Sequence, residues 1–109
     1  AFPGPDGRTI LIRNHELEAK WLELGGFGKE LDNLSLLPPD RFYDYGNGKT
    51  PCLGGTSTVV FNTQTGEVER QFMSLAGTER NCAGGPTPWH SWLTCEESVV
   101  QEKDGYVRR

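Results

Sequence analysis

At 109 residues, 35% hydrophobic and with a mean hydropathy of −0.56, the chain has room for one small domain with a modest core. Its net charge is −4 with 11 scattered Lys and Arg, which leaves no basic stripe to track a phosphate backbone, so nucleic acid is not an expected partner. Its apolar runs are only a few residues long, so no segment is expected to span a membrane, and 14 Gly with 7 Pro call for many turns between short strands.

In chain order, Pro3-Gly4-Pro5-Asp6-Gly7 is turn chemistry, and the β-branched run from Arg8 to Arg13 predicts a strand apolar on both faces. That strand delivers Asn14, His15 and Glu16 to its end. A zinc-protease helix motif starting at His15-Glu16 fails, because Ala19 stands where the second His is needed. Asn14 and Glu16 lie on one side of an extended chain and form an amide and carboxylate pair suited to Ca²⁺. The plainer alternative is that Asn14 caps a helix over His15–Leu24, with Leu17, Trp21 and Leu24 on one stripe.

Gly25-Gly26-Phe27-Gly28 predicts a turn and does not fit the dinucleotide fingerprint, since Leu31 replaces its third Gly. The stretch from Lys29 to Lys49 lacks clear periodicity, and a connection of that length is expected to be functional or disordered. Asn33-Leu34-Ser35 is a glycosylation sequon that chance explains. Gly54 to Asn62 and Glu67 to Leu75 predict a strand pair, joined by a Thr63-Gln64-Thr65-Gly66 hairpin loop. On the second strand Val68, Arg70 and Phe72 share one face, with Glu67, Glu69 and Gln71 solvated on the other.

The densest chemistry lies between Asn81 and Glu97, where two thiols, two carboxylates, an imidazole and two tryptophans surround a Gly-Gly-Pro-Thr-Pro segment. Gly84 and Gly85 permit positive φ and Pro86 and Pro88 fix theirs, so a rigid corner is expected, with Cys82 at its mouth. Ser91 to Cys95 alternates as a short strand that places Glu96 and Glu97 at its end. Ser98-Val99-Val100 extends that strand, and Tyr106-Val107 begins another after a turn at Lys103-Asp104-Gly105. A thiolate beside carboxylates is a ligand mixture for a transition metal with a second, oxygen-loving cation; a buried structural Cys beside a solvated Glu pair is the plainer reading. A zinc site from Cys82, His90 and Cys95 would supply three ligands of unusual spacing. Three cysteines leave one over from any disulfide, and ligation through Cys82 would leave Cys52 and Cys95 to pair. Ser91 and His90 are neighbours on an extended chain and face opposite ways, so they do not form a catalytic pair.

Residues 54–61, 74–78, 80–89 and 92–97, together with Arg13-Asn14-His15-Glu16, resemble in order the motifs of the PhoX-type alkaline phosphatase family. The resemblance spans nearly the whole chain but only part of the family's several-fold greater length. It implies a mainly β fold in which residues 1–109 form about two blades of a β-propeller, a fragment of a larger phosphatase-like domain. It further implies a phosphate-ester substrate hydrolysed with iron and calcium. By matched motif, Cys82 would be the thiolate on iron, and Glu16 and Glu96 carboxylates on iron or calcium, with Glu97 and Asn14 as further candidates. Arg13 and Arg80 flank these motifs and could neutralise phosphate. His90 departs from the small residue usual at its place and receives no metal role.

On this reading the remaining ligands lie beyond Arg109, and the rest of the propeller or a partner chain covers the open strand edges. The isolated chain is then expected to be inactive, and the family implies a periplasmic or secreted location although no signal peptide opens this chain. The alternative is a non-catalytic metal-binding or structural propeller segment.

Overall fold

The computed structural model describes residues 1–48 and 51–99, and among them every regular element is a strand or a single 3-10 turn. The strands are β1 (Phe2–Pro3), β2 (Arg8–His15), β3 (Gly54–Asn62), β4 (Glu67–Thr78), β5 (Asn81–Pro86) and β6 (Trp92–Glu96). β1 to β4 form one antiparallel sheet in sequential order, and β5 pairs with β6 in a second. The protein is thus mainly β, in two open antiparallel sheets of the kind that part of a propeller would contain.

The first sheet follows from its sequence. β-branched residues populate β2 and β3, where side chains standing off a pleated surface pack well, and the two strands pair without a register break from Arg8–Asn62 to His15–Gly55. The β3–β4 turn closes on Asn62, whose Oδ1 accepts the amide N–H groups of Gln64 and Thr65 at 2.9 and 3.2 Å. Gly66 completes the turn at φ 76°, a left-handed value that costs glycine nothing. Arg70 lies over the Phe72 ring at 4.6 Å, consistent with their sharing a face, but Glu69 is not a merely solvated residue. Its carboxylate takes Arg8 Nε at 2.9 Å and Asn62 Nδ2 at 2.8 Å across the sheet.

Residues 16–53 depart from expectation. β2 runs through His15 and no α-helix follows it; a 3-10 turn at Leu22–Leu24 is all the helix there is. The segment from Lys29 onward is neither extended linker nor disorder across its described residues. It folds through 3-10 turns at Leu34–Leu36, Pro39–Arg41 and Gly46–Gly48 and covers one end of the sheet. There Phe27, Phe42, Leu53 and Ala76 form the buried core, flanked by Leu17, Leu31, Leu34, Leu37, Tyr45 and Met73. The Phe42 ring lies 5.3 Å from Phe27 and 5.1 Å from Tyr45, a spacing favourable for offset and edge contacts. The cover is also bonded to β4, with Tyr43 N–H on Ala76 O at 2.8 Å and Asp44 N–H on Gly77 O at 3.0 Å. Gly77 is required there, since a Cβ would stand 2.9 Å from both of those amide nitrogens.

The Gly-Gly-Pro segment also differs from expectation. It is not a corner but the strand β5, and neither Gly84 nor Gly85 takes positive φ. Gly84 is needed for space instead, because a Cβ would approach Leu93 O to 2.4 Å and the Trp92 ring to 2.8 Å. The actual turn lies beyond it, where Thr87 N–H bonds Ser91 O at 2.8 Å and His90 adopts φ 63°. β6 ends at Glu96, so Ser98 and Val99 do not prolong the strand; Val100, the Lys103–Gly105 turn and the Tyr106–Val107 strand lie outside the described residues.

Candidate metal centre

Three separate segments meet where β2 ends, β5 begins and β6 ends. Glu16 follows the last residue of β2, Cys82 is the second residue of β5, and Glu97 follows β6. Backbone bonds tie these segments together through Arg80, whose N–H bonds Leu17 O at 2.9 Å and whose carbonyl accepts Glu97 N–H at 3.0 Å. Arg80 reaches both partners by adopting φ 51° between β4 and β5.

The β5–β6 ladder then aims the thiol. Asn81 pairs with Glu96 and Ala83 with Cys95, so Cys82 is an extra residue, a bulge of the kind that re-aims a side chain. Asn81, fully buried, anchors the hairpin to the first sheet. Its Oδ1 accepts Gly55 N–H at 3.0 Å and the Thr78 hydroxyl at 2.8 Å, while its Nδ2 donates to Gly55 O and, at 3.2 Å, to Thr94 Oγ1.

The outcome is a cluster in which one ligand atom each of Glu16, Cys82 and Glu97 lies within 4.8 Å of the other two, all three residues being exposed. The carboxylates act on the thiol. A hydrogen bond to Glu16 is the largest influence, followed by the charges of Glu16 and Glu97 and by burial; together they outweigh the opposing Arg80 charge and hold the Cys82 pKa above its ordinary value. Arg80 stands among the acids, 3.7 Å from Glu16, 3.7 Å from Glu18 and 3.9 Å from Glu97.

Two other candidate ligands are differently employed. Glu96 turns inward, its Oε1 accepting Glu79 N–H at 2.7 Å, and is not part of the cluster. The two lone pairs of Asn14 Oδ1 are taken by Trp92 Nε1–H at 3.2 Å and the Thr94 hydroxyl at 3.1 Å, so this oxygen has no lone pair to offer a cation. The Cys82, His90 and Cys95 set does not assemble among the described residues: His90 belongs to the far turn of the hairpin, and Cys95 is outside the cluster. Nor do Cys52 and Cys95 form a disulfide: Cys52 is fully buried beside Leu53, and Cys95 is exposed on β6.

The Ser91 hydroxyl contacts Thr87 Oγ1 at 2.9 Å. A Ser–His contact does exist elsewhere, between His15 Nε2 and Ser57 Oγ at 2.9 Å, and adjacent positions in the chain gave no sign of it. Ser57 is 2% exposed, so the pair is part of the sheet's packing and offers no reachable nucleophile. Burial, followed by the Arg13 charge, lowers the His15 pKa. A cleft of about 600 Å³ is lined by residues of both sheets, among them Ile10, Ile12, Thr56 and Trp92. None of the cluster residues lines it, and all three are exposed.

A family profile described as alkaline phosphatase PhoX matches residues 46–109, more than half of the chain. The chain belongs to the alkaline phosphatase PhoX family. Cys82 and Glu97 lie inside the matched span and Glu16 outside it, so the fold brings to the family's segment a carboxylate from far upstream. Neither a curated protein nor a solved structure matches the chain. Membership supports phosphatase activity in general. Among the described residues no helix is long and apolar enough to cross a membrane.

Proposed function

We propose that this PhoX-family chain supplies part of the cation site of a phosphomonoester hydrolase, in which Cys82 would hold iron and Glu16 and Glu97 would hold iron or calcium. The observation that carries this reading is the convergence of a thiol and two carboxylates from three distant segments within 4.8 Å. The donor chemistry fits such ions. Sulfur selects a transition metal, carboxylate oxygens suit iron and calcium alike, and a locally negative cluster that disfavours a bare thiolate favours a cation. When bound, such cations would neutralise phosphate oxygens and lower the pKa of an attacking water.

The chain's own residues have defined tasks. On ligation the Cys82 thiol would give up its proton, and Glu16 and Glu97 would offer the cation their carboxylate oxygens. Arg80, tethered among three carboxylates, would offer positive charge to a bound phosphate. The two sheets would belong to a propeller completed by further chain, which also supplies the remaining ligands, in a periplasmic or secreted enzyme. A second reading, a non-catalytic metal-binding or structural propeller segment, is favoured by one feature: the three donors are exposed and none lines the cleft between the sheets.

Metal analysis and phosphomonoester turnover of the full-length protein test both readings. Cys82→Ser should abolish iron binding and activity together, and unchanged iron content would sink the assignment. Cys52→Ala should leave the metal alone. Calcium without iron or turnover in the unmutated protein would favour the second reading.

A further inference from the structure

We propose that Asn14 is a positioning residue for the Cys82 sulfur, setting the thiol opposite Glu16 without touching the cation itself; this rests on the metal reading above. Its carboxamide makes four hydrogen bonds to the β5–β6 hairpin. Nδ2 donates to Cys82 O at 2.7 Å and Ala83 O at 3.2 Å, while Oδ1 accepts from Trp92 and Thr94. The amide orientation is forced, because backbone carbonyls only accept and an indole N–H only donates. Asn14 therefore spans both strands of the hairpin, holding the bulge carbonyls on β5 with one end and β6 with the other.

The placement matters because of what flanks it. Asn14 lies two residues before Glu16 on the segment that delivers that carboxylate. The same stretch of chain thus presents one ligand and grips the peptide that carries the other. Cys82 is the extra residue of a bulge, with no direct partner in the β6 register, so the carbonyl bonds from Asn14 limit the rotation that would swing its side chain. Asn81 anchors the hairpin to β3, and Asn14 sets its angle at the thiol. A polar side chain saturated by four partners is a rigid element, and orienting groups behind a metal ligand govern its affinity.

The probe is Co²⁺ alone, titrated into the full-length protein and followed by sulfur-to-cobalt charge-transfer absorption, with folding checked by thermal melting. The wild type should show a band that Cys82→Ser abolishes. Asn14→Ala should weaken Co²⁺ binding about 10- to 100-fold and lower the band intensity per bound cobalt, a signature that general destabilisation does not produce. Trp92→Phe keeps an aromatic ring and removes one donor to Oδ1; it should weaken binding several-fold, and it decides the question if Asn14→Ala does not fold. Folded variants with wild-type affinity and band overturn the proposal. If the wild type shows no band sensitive to Cys82→Ser, the metal reading fails and the positioning role is judged by iodoacetamide. Asn14→Ala should then shift the alkylation rate of Cys82 several-fold while leaving Cys95 unchanged, and equal rates at Cys82 overturn it.

Discussion

The β3–β4 hairpin pairs from Gly54–Thr78 to Asn62–Glu67 and is held chiefly by its backbone ladder, with a four-residue turn and a third strand, β2, alongside. Both hairpins carry register shifts, three in β3–β4 and one, at Cys82, in β5–β6; the β5–β6 hairpin pairs over a shorter span and is fixed to the first sheet by the side chains of Asn14 and Asn81. The first hairpin supplies a frame and the second supplies chemistry. The comparison shows how a small β protein aims a thiol: a long ladder fixes strand direction, and a few saturated carboxamides fix the angle at which the short hairpin meets it.

The most disruptive test of this contrast is Asn81→Ala. It leaves buried Gly55 and Thr78 groups without their partner and should cost about 3 kcal/mol. A denaturation midpoint measures the loss, and the change should extend to Cys82 alkylation, because the hairpin is no longer docked. A ladder-only hairpin would lose far less.

A smaller effect of opposite sign is expected at the far turn. His90 holds φ 63°, a conformation that burdens a residue with a Cβ. His90→Gly should raise stability by about 0.5 to 1 kcal/mol after the extra unfolded-state freedom of glycine is counted. A rise in melting temperature with unchanged Cys82 reactivity would separate the turn from the site.

The smallest effect belongs to the frame, at the exposed Arg8–Glu69 pair. Hydrogen bonds from Arg8 and Asn62 hold the Glu69 pKa below its ordinary value. A carboxyl depressed in the folded state adds stability above its unfolded pKa and loses that contribution as pH falls through the folded value. Glu69→Gln should therefore lower stability slightly at neutral pH, leave it unchanged below the folded pKa and so flatten the acid limb; an identical acid limb would contradict the pair's role.

Much of the frame was legible in the chain. β-branched runs gave β2 and β3, and the Thr63–Gly66 loop gave their partner β4. The Gly-Gly-Pro segment misled, because glycine serves two ends: Gly84 is required for close approach of β6 rather than for positive φ. Residues 16–53 were obscure because their core positions, Phe27, Phe42 and Leu53, follow no single period. At the site, the residue types were legible and their orientations were not. Which of Glu96 and Glu97 faces Cys82 depends on the parity of β6, where Trp92, Thr94 and Glu96 are the less exposed residues. Asn14 looked like an oxygen ligand because the donors that saturate it, Trp92 and Thr94, lie almost the length of the described chain away.

The two bonds of the Arg80 peptide, to Leu17 on one side and Glu97 on the other, bear on the order in which the molecule acquires its parts during synthesis. Glu16 leaves the ribosome early, while Cys82 and Glu97 emerge only after the whole β3–β4 hairpin. The early carboxylate must wait for a distant stretch to fold against it, and a peptide of residues 81–97 would carry the thiol and one acid but no Glu16. Assembly of this cluster is therefore a late event in biogenesis, and one that reports completed tertiary structure.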